Sequence, residues 1–112
     1  NMAETYKNAR LVITNSEQTI YTNSSGGAGI IVSLIVTNID GAVDDTVTVK
    51  VRDNSASADT EIASTMTVPA DSRLDVCGDN TKVFLENGDS VKITGGNASG
   101  DLIALASILE IT

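Results

Sequence analysis

Runs rich in Thr, Val and Ile recur along this chain, broken about every eight to twelve residues by clusters of Gly, Asn, Asp and Ser, and no stretch carries the apolar period of a helix. That spacing is what most constrains the fold. It suits short strands joined by tight turns and leaves no helical crossover to cover a parallel sheet. The expectation is an all-β fold, an antiparallel β-sandwich of Ig-like or jelly-roll type with about eight strands. Strands are predicted over 6–14, 19–22, 29–38, 46–53, 61–68, 73–77, 82–86 paired with 90–94, and 101–111, enough for two sheets of four or five.

The clearest alternation runs from Thr46 to Arg52, where Val47, Val49 and Val51 face one way and Thr46, Thr48, Lys50 and Arg52 the other, so this strand has one wet face. Asn38-Ile39-Asp40-Gly41 reads as a turn joining two paired strands, with a loop through Asp44 and Asp45. Glu86-Asn87-Gly88-Asp89 places Asn-Gly between two alternating runs, which predicts a type I′ hairpin with Phe84 close to Val91 or Ile93. Pro69 cannot donate to a ladder and marks a change of sheet.

Residues 1–112 read as one domain, since a chain of this length removes roughly two-thirds of its unfolded surface from water. Residues 1–3 are expected to be flexible, and Asn1 ahead of Met2 reads as a remnant of expression. With Tyr6, Tyr21 and Phe84 as the whole aromatic inventory, aliphatic side chains must fill the core. Cys77 is the one cysteine, expected as a buried small hydrophobe.

Seven basic against fifteen acidic residues leave a formal charge of −8, which opposes phosphate neutralisation and argues against direct nucleic-acid binding. No apolar run reaches the ~18 residues of a membrane span, and no signal-peptide pattern opens the chain, so no membrane partner and synthesis in a cytoplasm are expected. No histidine is present, which removes the commonest general base and metal ligand, and no catalytic residue is assigned. Ser24 to Gly29 and Gly95 to Gly100 are Gly-rich loops without the lysine and following helix of a phosphate cradle.

The carboxylates Asp40, Asp44 and Asp45, and Asp53 with Asp59, are the candidate calcium ligands, but the Asp53 run lacks the glycine and terminal glutamate of an EF-hand loop. They read as solvated loop groups, with no metal and no cofactor. Asn23-Ser24-Ser25 and Asn97-Ala98-Ser99 match the N-glycosylation pattern and, without a secretory signal, carry no weight.

Two strands break the half-buried pattern: 29–36 and 102–109 are apolar on both faces. One face of each can serve the core, and the other reads as a subunit interface, because large uncovered apolar patches are rare on monomers. Ile31, Ile35, Leu105 and Leu109 are the predicted interface residues, with Leu34, Val36, Ile103 and Ile108 as the alternative faces, since a one-residue change of register swaps them.

The phrases Tyr6-Lys7-Asn8-Ala9, Gln18-Thr19-Ile20-Tyr21-Thr22, Val47-Thr48-Val49-Lys50-Val51, Val68-Pro69-Ala70-Asp71-Ser72, Leu85-Glu86-Asn87-Gly88-Asp89 and Ser99-Gly100-Asp101-Leu102 follow in that order. In this the chain resembles small virion structural proteins of tailed bacteriophages over nearly its whole length. The resemblance implies a capsid-decorating (cement) or tail-associated protein, located in the virion and without catalytic residues. It implies a homo-oligomer, a trimer being favoured, with other virion proteins such as the major capsid protein as partners. A carbohydrate-binding adhesion module is the alternative, to be judged by whether Tyr6 or Tyr21 is exposed.

Overall fold

The computed structural model describes residues 2–97 and 99–112. These form nine strands and no helix: β1 (Glu4–Val12), β2 (Gln18–Thr22), β3 (Ala28–Asn38), β4 (Asp45–Asp53), β5 (Ala58–Val68), β6 (Ser72–Cys77), β7 (Val83–Leu85), β8 (Ser90–Gly95) and β9 (Leu102–Ile111). All pairings are antiparallel. One sheet runs β1-β9-β3-β6, with β7 also on β3, and the other runs β2-β8-β4-β5.

β6 and β7 lie end to end on the same edge of β3, pairing with Leu34 to Asn38 and Gly29 to Ile31 respectively, so they act as one strand interrupted by an excursion over 78–82. Counted that way, eight strands form two four-stranded sheets in which the first strand pairs with the last and the second lies opposite. This double Greek key is a jelly roll. An Ig sandwich keeps its first two strands together in one sheet, which this chain does not.

The core lies between the sheets, filled by aliphatic side chains as composition required: Ile31, Leu34, Val36, Ala104, Ala106 and Ile108 from one sheet against Val47, Val49, Val68 and Ile93 from the other. Fully burying one such large aliphatic side chain contributes about 1.5–3 kcal/mol. Val47 and Val49 of the alternating strand are buried and Val51 packs against them, as its period of two predicts. Cys77 is 2% exposed, and burial pushes its thiol pKa up.

Most connections cross between the sheets, and this overturns two predicted hairpins. β3 and β4 lie in opposite sheets, so the Asn38 to Gly41 turn is a crossing; buried Asn38 anchors it, its side-chain amide donating to Val43 O and Val68 O at 3.0 Å each. β7 and β8 also lie in opposite sheets. The Glu86 to Asp89 turn closes with Asp89 N donating to Glu86 O, but only Gly88 has a positive φ, +94°, which is type II geometry and not I′. A type II turn does not follow the strand twist of a hairpin and lets the chain leave the sheet. Phe84 accordingly stands 65% exposed while Val91 and Ile93 are buried. The change of sheet at Pro69 is as predicted, with β5 in one sheet and β6 in the other.

The two ends of the described chain lie side by side. Ala3 and Thr112 exchange backbone hydrogen bonds of 2.8 and 3.0 Å, so Ala3 extends the β1–β9 ladder; Asn1 lies outside the described residues. Asn23 is fully buried, its side chain bonded to Gly27 O, Leu85 O and the Ser25 amide, which excludes it as a glycan acceptor in the folded chain. The second such motif includes Ala98, outside the described residues. At Gly27 a Cβ would come 2.2 Å from Ile111 O, so the loop passes this close to β9 only because the residue is glycine.

Candidate assembly surface

Residues paired across antiparallel strands point to the same face, so the registers define rows across the outside of the five-stranded sheet. One row is Tyr6, Leu109, Ile30 and Phe84, apolar on all four strands. Its ends are the most exposed aromatics of the chain, Tyr6 at 77% and Phe84 at 65%. A second row is Arg10, Leu105, Ile35 and Asp75, with apolar side chains between opposite charges. A third is Val12, Ile103, Thr37 and Arg73. Between the first two lies a polar row of Asn8, Ser107 and Ser33.

The outside of the other sheet has a different character. Lys50 and Lys92 stand opposite each other across β4 and β8, with Glu17 between them at 3.2 and 3.9 Å, and Arg52 pairs with Asp59 across β4 and β5 at 3.4 Å. Thr46, Thr48 and Thr94 complete a polar, ion-paired surface suited to water. The sandwich therefore has one wet outer face and one apolar outer face.

Of the residues predicted for the apolar face, Ile35, Leu105 and Leu109 lie on it, with Leu105 41% exposed. Ile31 does not. It is 1% exposed in the core, because Val32 is an extra residue in β3 relative to β9, a β-bulge that reverses the alternation between Ile31 and Ile35. The alternatives Leu34, Val36 and Ile108 are core, whereas Ile103 is outward. Sequence reading misses Ile30, Phe84 and Tyr6: the uninterrupted apolar run hides the bulge, and the predicted hairpin sets Phe84 beside Val91 or Ile93.

The candidate loop carboxylates are largely taken up in holding loops. Asp40 Oδ1 accepts from the Ala42 and Val43 amides at 2.8 and 3.1 Å, which lowers its pKa. Asp44 accepts from Ala70 N, and Asp45 from Thr46 N and Asn97 N, beside a shallow depression lined by Thr67 and Gly96. Asp53 bonds the Ala56 amide and the Ser55 hydroxyl, which lower its pKa. It approaches Glu86 and Asp89 within 4.8 Å, while Asp59 pairs with Arg52. Both oxygens of Asp89 are occupied by the Asn54 and Glu86 amides, which makes it a loop staple.

No protein-family model matches the sequence, and no curated protein is similar to it. The fold is shared with solved structures. A chain of the Bacillus endospore appendages, described as disulfide-linked pili, is 16% identical with a TM-score of 0.55, over 98% of this chain and 85% of that one. A chain of the infectious bursal disease virus Gx strain is 6% identical with a TM-score of 0.56; this chain matches it over 99% of its own length and spans 32% of the viral chain. The Drosophila NLP core, described in terms of pentamer formation and histone binding, is 12% identical with a TM-score of 0.54, over 95% of each chain. At these identities the likeness is one of fold.

Proposed function

We propose that this chain is a non-enzymatic structural protein of a tailed-phage virion, a capsid-decorating (cement) protein that assembles through protein-protein contacts. The observation that carries the reading is the one-sided sandwich, in which the outside of the β1-β9-β3 sheet presents Tyr6, Leu109, Ile30, Phe84, Leu105 and Ile35 while the opposite sheet is ion-paired. An apolar sheet face rimmed by charge is what an obligate contact needs and what a free monomer avoids. The resemblance of the sequence to virion proteins and the sharing of the fold by a viral chain support this setting. The sequence carries no histidine, and the carboxylates of Asp40, Asp53 and Asp89 accept hydrogen bonds from loop backbone amides, which supports a structural reading of those groups. A disulfide-linked filament is a poorer fit, because Cys77, the one cysteine, is buried in the core.

An antibody to this chain, used for immunogold labelling of virus particles from the sequence's source, tests the reading. Regular label over capsids is expected. Label confined to tails, to cell-surface filaments or to unassembled protein overturns the capsid assignment.

A second reading, a carbohydrate-binding module, is favoured by Tyr6, which is exposed beside Lys7, Asn8 and Ser107 in a shallow depression and could stack a sugar ring; Tyr21 is buried. Glycan-array binding abolished by Tyr6→Ala would establish it.

A further inference from the structure

We infer that the apolar outer face is covered by a second copy of this chain, docked face to face about a twofold axis parallel to the strands and midway between β9 and β3. The inference rests on the assembly reading above and gives it a specific geometry. Such an axis exchanges the two edges of the sheet. Tyr6 then lies over Phe84 of the second copy, Leu109 over Ile30, Leu105 over Ile35, and Arg10 over Asp75, each pair occurring twice. The apolar row places its two aromatics at opposite ends, and the mixed row places a cation at one end and an anion at the other. Both rows are thereby complementary to themselves under this one operation, which is what a twofold interface requires.

Charge supports a like partner. The chain carries −8, so two copies repel at most of their surfaces. The charged side chains directed outward from this face are Glu4, Arg10, Arg73 and Asp75, two of each sign. Glu86, just beyond β7, is turned toward Asp53 and Asp89. The face is locally neutral across a distance comparable with the Debye length of about 8 Å, so the approach of a second copy is not opposed there. Size is also adequate: four strands about 4.8 Å apart and about 30 Å long present about 570 Å² per copy, about 1,100 Å² in total, above the roughly 1,000 Å² of a specific interface.

Sedimentation equilibrium over a concentration series tests the inference, with thermal unfolding as the control that each variant is folded. The wild type is expected as a dimer. Arg10→Asp should weaken association about ten-fold or more, and Arg10→Asp with Asp75→Arg should restore it, because the swap rebuilds both ion pairs only if Arg10 meets Asp75 of the other copy. A wild type that sediments as a monomer or trimer throughout, an Arg10→Asp variant that associates unchanged, or a double variant as weak as the single one would overturn the dimer. Immunogold labelling decides the virion reading separately, so labelled capsids from a chain that fails these tests would leave that reading standing.

Discussion

The Tyr21 hydroxyl donates to Glu110 Oε2 at 2.5 Å across the two sheets, and Lys7 Nζ lies 3.2 Å from the other carboxylate oxygen. Glu110 is 6% exposed at a core-facing position of β9, so this cluster sets a hydrogen-bonded carboxylate among mainly aliphatic core side chains. The Tyr21 hydrogen bond, and after it Lys7, holds the Glu110 pKa below the usual carboxylate range. Burial, and then Glu110, pushes the Tyr21 pKa up.

Each shift has a pH window. The Glu110 contribution to stability is complete above the ordinary carboxylate value of about 4.3 and is lost as pH falls through its lowered folded value; the Tyr21 contribution is complete below about 10 and is lost as pH rises. Tyr21→Phe leaves a buried carboxylate with Lys7 alone and should cost about 1–3 kcal/mol at neutral pH. Urea unfolding across pH should show the variant failing at a higher pH than wild type on the acid side. Identical acid limbs would mean that the hydrogen bond contributes nothing.

Ile31 and Ile35 are both isoleucines of β3, four residues apart, yet the Val32 bulge sends them to opposite faces. Ile31→Ala should lower stability by about 2–5 kcal/mol, as for other large-to-small core changes. Leu105→Asp on the outer face should change monomer stability by only about 0.5 kcal/mol and abolish assembly. Thermal unfolding and light scattering separate the two effects; equal loss of stability in both variants would mean that the face is not exposed.

Thr65 has φ +45°, in the left-handed region, at a bulge where Ser64 and Thr65 oppose Thr48 and the Thr65 amide donates to Thr48 Oγ1 at 3.0 Å. A β-branched residue is strained there by about 1–2 kcal/mol, partly offset in glycine by a more flexible unfolded chain. Thr65→Gly should therefore stabilise the fold by about 0.5–1 kcal/mol in a urea midpoint measurement, since its backbone amide is retained. The bulge also twists β5, an edge strand, out of register for pairing with another chain.

Asn38→Asp tests the crossing from β3 to β4. The amide donates to Val43 O and Val68 O, and a carboxylate there would set its oxygens against two carbonyls in a buried site. A loss of about 2–4 kcal/mol by thermal unfolding is expected, from two unpaired acceptors and a desolvated charge. A smaller loss from Asn38→Ala would identify the repulsion as part of the cost.

The all-β class and nearly every strand were legible in the sequence because both depend on local properties. The alternation of Val47, Val49 and Val51, the excess of β-branched residues and the turn-forming clusters act within a few residues of themselves, and the observed strands follow them closely. Pro69 marked a change of sheet for an equally local reason, its missing amide. What the sequence left open was pairing, which depends on residues far apart. Asn87-Gly88 could close a hairpin or a crossing, and only the competition of β3 for β7 and of β2 and β4 for β8 decided it. In β3 and β9 both faces are apolar, so alternation carried no information about which side would be buried. In β3 the extra residue at Val32 settled that, putting Ile31 inside and Ile35, four residues on, outside, because a single inserted residue reverses every side chain beyond it; β9 runs without interruption and takes its facing, with Leu105 outside, from its pairing with β1 and β3.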